Sequence, residues 1–271
     1  MKEENRRQIF LTLDLEKDYG TALNKDFFYA LENSEELITF LKKNDIPLTV
    51  FIQTKILEKK LLPDCFLLND IQIEFCAHSY SHNIRDQISF LHEIKKSSKI
   101  FQDYFGVTPK GYRAPDGVIY RSDLELLKKF GYEYDSSIFP IWRPGRFNNL
   151  GASKKPFILK NAVTEIPFSI YNFGIPIPIS LSYMKILGNP FLKLCLNGKL
   201  PDNIIFDFHL HDLNPPIKSY QYLPIFYKII YKRNFLEGFK IFKKFVLFHK
   251  TNGTKFKTLN NYHNKLKLHE K

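Results

Sequence analysis

The sequence predicts an α/β fold with a mainly parallel sheet, either open or closed into a barrel. Apolar runs of strand length alternate with amphipathic runs of helix length along most of the 271 residues. Four of these runs end in short polar clusters, at residues 14–18, 78–82, 113–117 and 209–212. In parallel α/β folds the loops after the carboxyl ends of the strands build the site. We therefore expect these clusters to lie together.

Each element is predicted from its periodicity and from the residues that start or stop it. In helix 34–43, for example, Leu37, Ile38 and Leu41 share one face and acidic residues occupy the first turn. Gly106 ends the predicted helix 85–105. The predicted strands are 8–13, 47–52, 71–77, 132–136, 203–210 and 255–259, with further strands expected in 157–166. The predicted helices are 34–43, 56–68, 85–105, 123–130, 181–196 and 234–250.

Length and composition predict one domain, over residues 1–260, followed by a loose basic tail over 261–271. The chain carries 40 Lys and Arg against 28 Asp and Glu, a net charge of +12. Much of the excess follows residue 217, and we interpret it mainly as a solvated surface. No recognised nucleic-acid-binding motif accompanies the charge, so nucleic acid is not an expected partner. A peripheral contact with a membrane stays open as an alternative.

Cysteine usage and the absence of targeting patterns predict the compartment. The three cysteines, Cys65, Cys76 and Cys195, form no CxxC pair, which is typical of reduced thiols. The chain start lacks the apolar run of a signal peptide, and no apolar run reaches the ~18 residues of a spanning helix. We expect a cytoplasmic protein, with the inner membrane face as an alternative location.

The two histidines that follow the predicted strand 71–77 indicate a metal site. His78 and His82 are four residues apart, a spacing that places both imidazoles on one face of a helical turn. Two converging imidazoles bind a divalent metal well when a carboxylate completes the set. Residues 14–18, at the end of the first strand, are the expected source of that carboxylate.

Five short motifs, taken in order, resemble the polysaccharide deacetylases with a NodB homology domain, which are carbohydrate esterase 4-like. They are Asp-x-Glu within 12–16, His-x-x-x-His at 78–82, Arg-Ala-Pro-x-Gly within 112–117, Tyr-Asp-Ser-Ser within 132–137, and His-Leu-His-Asp within 206–212. The resemblance implies a distorted (β/α) barrel with fewer than eight repeats. It also implies metal-dependent hydrolysis of an amide, usually an N-acetyl group on a sugar.

The first motif departs from the common family pattern, which has two adjacent aspartates. Leu15 stands where the second would be, and Glu16 follows it, as in the branches of the family with an Asp-x-Glu first motif. On a regular strand Asp14 and Glu16 lie on the same face. The third metal ligand is therefore Asp14 or Glu16, and we assign the metal site to Glu16, His78 and His82.

Amide hydrolysis also needs a base, an acid and a site for the developing oxyanion. We predict Asp14 as the general base, paired with Arg113, which holds it ionised. The oxyanion is expected between the metal and a backbone N–H of the turn at 112–116. A divalent metal lowers the pKa of a bound water from about 15.7 towards about 7.

His209 is the predicted general acid, with His211 as the alternative. Asp135 or Asp212 is expected to orient its ring and favour the protonated form; of the two, Asp135 is the predicted catalytic residue.

The expected enzyme removes an N-acetyl or similar acyl group from a sugar or glycan precursor, which a lipid or a nucleotide could carry. The ligand types fit zinc first, with cobalt, nickel or iron as alternatives. Two other functions stay open. One is a non-catalytic deacetylase-like carbohydrate-binding protein, motivated by the missing second aspartate. The other is a deformylase-type hydrolase of a lipid-linked amino sugar.

Overall fold

Parallel strands form the frame of the molecule. The structure is a computed structural model, and it describes residues 7–83, 89–158 and 162–269. The strands are β1 (Gln8–Leu15), β2 (Leu48–Ile52), β3 (Ile73–Ala77), β4 (Gly111–Tyr112), β5 (Tyr134–Asp135), β6 (Trp142–Arg143), β7 (Phe147–Asn148), β8 (Phe157–Ile158), β9 (Thr164–Glu165), β10 (Ile170–Phe173), β11 (Ile175–Pro178), β12 (Asn203–His209) and β13 (Lys255–Phe256). The helices are α1 (Ser34–Lys43), α2 (Lys55–Glu58), α3 (Phe90–Phe105), α4 (Arg121–Lys129), α5 (Leu181–Leu187), α6 (Asn189–Asn197), α7 (Leu210–Leu213), α8 (Ile217–Tyr220), α9 (Ile225–Lys232), α10 (Gly238–Thr251) and α11 (Leu259–His269).

The main sheet is curled and runs in the order β12, β1, β2, β3, β4, β5, β9, β8, with β13 beside the start of β1. Its neighbouring strands are parallel except for β8 and β9 at one edge. β1 and β2 are buried along nearly their whole length, as expected for parallel strands covered on both faces. The predicted distorted (β/α) barrel is confirmed, in the form of a half-barrel.

Aromatic side chains hold α10 against the outside of the sheet. β12 presents Phe206 and Phe208 on the face opposite its polar residues. Their rings lie 4.4 Å from the ring of Phe245 and 4.7 Å from the ring of Phe242. Both partners belong to α10, most of which lies within the predicted helix 234–250. This packing fixes β12 beside β1 through apolar burial, worth about 2–3 kcal/mol for each buried ring.

The C-terminal residues form a helix where the sequence predicts a loose tail over 261–271. Helix α11 extends to His269, and residues 270–271 lie outside the described part of the chain. The ring of Tyr262 stacks on Phe10 at 4.7 Å, and the N–H of Leu259 donates to Thr49 Oγ1. Phe10 faces the inside of the half-barrel near the start of β1, so α11 packs at the end of the half-barrel away from the polar strand ends. The tail prediction is wrong because the contacts that order these residues come from strands far away in the chain.

Other boundaries differ for local reasons. The predicted helix 181–196 is two helices, since Gly188 adopts a φ of 72° and Pro190 follows it. The predicted helix 56–68 shortens to α2, well before Pro63. Helix α9 was not predicted. Residues 84–88 and 159–161 lie outside the described ranges, and with them the first residues of the predicted helix 85–105 and part of the strands predicted in 157–166. Within those ranges no helix is long and apolar enough to cross a membrane.

Candidate active site

The register between β1 and β12 aligns two pairs of polar residues inside the half-barrel. Thr12 lies opposite Asp207, and Asp14 lies opposite His209. Side chains two residues apart on a strand point to the same face, so all four point inward. The pairing explains how a site forms from two strands that are far apart in the sequence.

Arg113 joins these two strands from the end of β4. Its Nη1 donates to Asp14 Oδ1 at 2.7 Å, to Asp207 Oδ1 at 2.8 Å and to Thr12 Oγ1 at 3.0 Å. The guanidinium is 1% exposed, so its charge is balanced inside the protein rather than by solvent. The predicted pairing of Arg113 with Asp14 is therefore present.

The rest of the guanidinium is held equally tightly. It lies between the rings of Phe51 and Phe168, at 4.1 and 4.3 Å from their centroids, and its Nε donates to the carbonyl of Ser136. Burial, together with the charge of Asp14, raises the pKa of Asp207 to about 7. Asp207 was not among the predicted site residues. The available signal was its two-residue spacing from His209.

Two histidines and Glu16 converge beside this cluster. Glu16 Oε2 lies 3.1 Å from His78 Nε2 and is in direct contact with His82 Nε2. The three ligand atoms lie within 4.8 Å of one another, and all three side chains are buried. Burial raises the pKa of Glu16, but the charges and hydrogen bonds of the two histidines outweigh it and hold the pKa well below its usual value.

The histidine pair comes from a loop, so the predicted helical turn is wrong. The backbone reverses because Ser79 and His82 have φ values of 56° and 57°. The carboxylate of Glu93, on α3, fixes this loop by accepting from Ser81 Oγ and from two consecutive backbone N–H groups. The rings of His78 and His82 end 4.8 Å apart, as a metal site needs.

These residues fit a divalent metal. His78 Nδ1–H donates to the carbonyl oxygen of Arg113 at 2.8 Å, which leaves its Nε2 lone pair free to face Glu16. Gly20, at a φ of 52°, leaves the space open: a Cβ there would lie 2.7 Å from Glu16 Oε1 and 3.2 Å from a carbon of His82. Asp14 Oδ2 is more distant, 3.8 Å from His78 Nε2. Glu16 is thus the better-placed third ligand.

His209 faces the same space from the other side. Its Nε2 lies 3.9 Å from Asp14 Oδ2 and 3.8 Å from Glu16 Oε1, and its Nδ1–H donates to Asp212 Oδ2 at 3.0 Å. Burial lowers the pKa of His209, but the bond to Asp212 and the charges of Asp207 and Glu16 outweigh it and raise the pKa well above its ordinary value. His209 is therefore set to carry a proton.

His211 has the opposite character. Its Nδ1 accepts from the backbone N–H of Tyr19 at 3.2 Å. Burial and the neighbouring charge of His209 lower the pKa of His211 to about 4. A neutral ring with its Nδ1 already occupied is a poor proton donor at neutral pH, so the structure favours His209 of the two predicted acids.

Asp212 is itself fixed by α5. Ser182 Oγ donates to its Oδ2 at 2.5 Å, and buried Lys185 donates to its carbonyl at 2.8 Å, with Nζ 3.8 Å from Oδ1. Neither residue was singled out in the sequence, since nothing local connects α5 to the end of β12.

In the turn at 112–116, where the oxyanion site was predicted, two backbone N–H groups already have hydrogen-bond partners. The N–H of Arg113 donates to the carbonyl of Ala77, the N–H of Ala114 donates to Ser137 Oγ at 2.7 Å, and Pro115 has no N–H. Neither of those two amides is available to an oxyanion.

Asp135 does not orient His209, and that prediction is corrected. It accepts from the backbone N–H of Ser137 at 3.1 Å and from Ser137 Oγ at 2.7 Å. It also lies opposite Glu165 in the pairing of β5 with β9. Burial raises the pKa of Asp135 to about 6, and burial with the charge of Asp135 raises the pKa of Glu165 well above its usual value. The two carboxyls form a buried pair beneath the site.

The buried pair of Asp135 and Glu165 is expected to lower the free energy of unfolding as pH rises. Both carboxyls bind protons more tightly in the folded chain than in the unfolded one, so stability is lost as pH rises from about 4 through about 6 and beyond. Glu165→Gln is expected to flatten that loss, measured as the difference in the free energy of unfolding in urea between pH 5 and pH 8. Glu32→Gln, at an exposed carboxylate, is the control. Equal pH profiles for Glu165→Gln and the unsubstituted protein would contradict the assignment.

The candidate base, acid and metal ligands line one cavity of about 330 Å³. That volume lies within the range of small-molecule sites. Asp14, Glu16, His78, His82, Arg113 and His209, all predicted from the sequence, line it together; Asp135 does not.

The fold and the site define a protein of the (β/α)-barrel type whose polar groups, including three possible metal ligands, gather at the strand ends. Residues 2–134 match the family model described as polysaccharide deacetylase. This match covers just under half of the chain, and the polysaccharide deacetylases are hydrolases that act on carbon–nitrogen bonds. Comparison with curated proteins gives no match.

Solved structures show the same fold at low sequence identity. A protein from Mycobacterium smegmatis assigned to the polysaccharide deacetylases has a TM-score of 0.63 at 16% identity, over 100% of this chain and 93% of that one. A peptidoglycan N-acetylglucosamine deacetylase has 0.52 at 16%, over 95% and 88%. A CE4 family pseudoenzyme from Bacillus anthracis has 0.54 at 12%, over 96% and 66%.

Proposed function

We propose that this chain is a metal-dependent hydrolase that removes an N-acetyl or similar acyl group from a sugar or glycan precursor. One observation supports this most: a base, an acid and three metal ligands face one cavity from different strand ends. A structural ion-pair cluster would need neither a cavity nor histidines with opposite pKa shifts.

Asp14 is the general base in this proposal. Its Oδ1 is bound to Arg113 at 2.7 Å, which fixes the carboxylate and leaves Oδ2 directed towards the cavity, between His78 and His209. From there Oδ2 takes a proton from the attacking water. A divalent metal held by Glu16, His78 and His82, with zinc as first choice, would supply Lewis acidity to the water and to the amide carbonyl.

His209 donates the proton that the departing amine needs. Its raised pKa keeps it protonated at neutral pH, and Asp212 fixes the ring so that Nε2 points into the cavity. The distances from Nε2 to Asp14 and Glu16, 3.9 and 3.8 Å, leave space for a reacting group between acid and base.

A non-catalytic carbohydrate-binding protein was considered because position 15 carries leucine instead of the second aspartate of the first motif. Leu15 is fully buried in the outer core, while Glu16, one residue further, approaches both histidines. The ligand set is therefore complete without an aspartate at position 15, which favours the enzyme over a binding protein.

Metal removal tests the proposal. Dialysis against a chelator is expected to reduce acetate release from N-acetylated amino sugars by about a hundredfold or more, because the three ligands then hold no Lewis acid. Added zinc, cobalt, nickel or iron is expected to restore it, and the metal that restores most identifies the cofactor. A parallel assay for formate from N-formyl amino sugars separates the deformylase alternative.

Retained sugar binding with no acyl release under any metal would favour the binding protein instead. Acyl release that is unaffected by complete metal removal would contradict the proposed mechanism.

A further inference from the structure

Helix α9 has two apolar faces with different surroundings. Tyr227, Ile230 and Tyr231 point towards the interior and line the catalytic cavity. At 100° per residue, Ile225 and Ile229 lie on the opposite side of the helix, facing solvent. A helix that is apolar on both sides normally has protein on both sides.

The outer face is strongly exposed. Ile225, Phe226 and Ile229 are 75%, 66% and 68% exposed, respectively, and no residue of α9 is fully buried. Isolated exposed apolar residues are ordinary, but three on one helix face next to an active-site wall form a continuous patch. Contact with a further apolar phase would remove this surface from water.

Basic side chains border these apolar residues. Residues 213–236 contain Lys218, Lys228, Lys232 and Arg233 and no acidic residue. Lys232 and Arg233 are exposed at the end of α9. Within the described part of the chain, the acidic groups form no ion pair with either of them. The charge therefore remains available to an anionic surface.

We propose that this α9 patch, defined as Ile225, Phe226, Ile229, Lys232 and Arg233, docks onto the surface of an anionic membrane. Apolar side chains on one face with cations beside them are the pattern of helices that lie in the membrane interface. A second copy of the chain is a poorer occupant, because a two-fold contact would bring the same cations against each other in a protein of net charge +12.

Docking has a consequence for the substrate, and this step rests on the proposed function. The helix that would contact the membrane is also a wall of the cavity, so only about one helix diameter, ~10 Å, separates the two. An acylated amino sugar attached to a membrane lipid would reach the cavity without leaving the headgroup layer. The substrate class is then a lipid-linked N-acyl sugar.

Vesicle co-sedimentation tests the docking independently of catalysis. The full chain is expected to bind phosphatidylcholine vesicles that contain phosphatidylglycerol, to bind vesicles of phosphatidylcholine alone much more weakly, and to dissociate as salt rises. Phe226→Ser with Ile229→Ser, and separately Lys232→Glu with Arg233→Glu, are each expected to reduce binding by at least about tenfold.

Matched controls come from other surfaces. Leu68→Ser removes an apolar side chain that is 79% exposed, and Lys128→Glu with Lys129→Glu reverses two adjacent exposed cations on α4. Both controls are expected to bind vesicles as the unsubstituted chain does, and thermal unfolding checks that every variant folds.

Three outcomes would overturn the docking. The first is no vesicle binding at low salt. The second is an equal loss of vesicle binding in the control Lys128→Glu with Lys129→Glu. The third is a dimer that the α9 substitutions convert to a monomer. Acyl release from soluble substrates stays measurable in all of them, so failed docking is distinguishable from failed hydrolase chemistry.

Discussion

Replacing His78 with alanine is expected to remove both the bound metal and the activity. His78 is 1% exposed, its Nδ1 is fixed on the carbonyl of Arg113, and its Nε2 faces Glu16. The truncation leaves two protein ligands, fewer than a stable catalytic site needs. We expect metal content to fall close to zero and kcat/KM to fall by about 10³-fold or more.

His92→Ala is the matched control, because His92 is an exposed histidine on α3. It is expected to keep metal and activity, measured by elemental analysis and by acetate release. Circular dichroism separates loss of metal from loss of fold. Full activity in the His78→Ala protein would end the proposal of a metal-dependent hydrolase.

Asp14→Asn is expected to give the second large effect, with the metal retained. The amide keeps the shape of the carboxylate and can still accept from Arg113, but it takes up no proton from water. The expected loss in kcat is about 10²–10⁴-fold. The residual rate should lose the lower-pH limb that ionisation of a base imposes on the pH profile.

Glu16→Gln distinguishes the two candidate ligands left open by the first motif. If the Glu16→Gln protein loses its metal and the Asp14→Asn protein keeps it, Glu16 is the metal ligand and Asp14 the base, as the distances to His78 indicate. The reverse pattern would exchange the two roles. Asp207→Asn, at the other carboxylate bound to Arg113, should cost much less activity, because its raised pKa already makes it partly neutral at pH 7.

Local patterns predicted the positions of the site residues but not all of their partners. Asp14 and Glu16 point to the same face of the sheet because strand side chains alternate. Leu15, between them, points to the opposite face and is buried in the hydrophobic core. The histidine spacing indicated convergence, yet a loop with positive φ values, rather than a helix, produces it. Asp212, and not Asp135, was the right partner for His209; the sequence offered both, and only the fold separates them.

The sequence by itself determined the long strands β1, β2, β3 and β12 and the helices α1, α3, α4 and α10. It also determined that acidic, basic and imidazole groups follow the strands. Those features depend on alternation, helical periodicity and breaking residues within a few positions. Tertiary structure alone decided that β1 lies between β12 and β2, so that Thr12 faces Asp207 and Asp14 faces His209. It also turned the expected tail into α11 and left one face of α9 exposed. These outcomes depend on packing between residues far apart in the chain, which no short window of sequence contains.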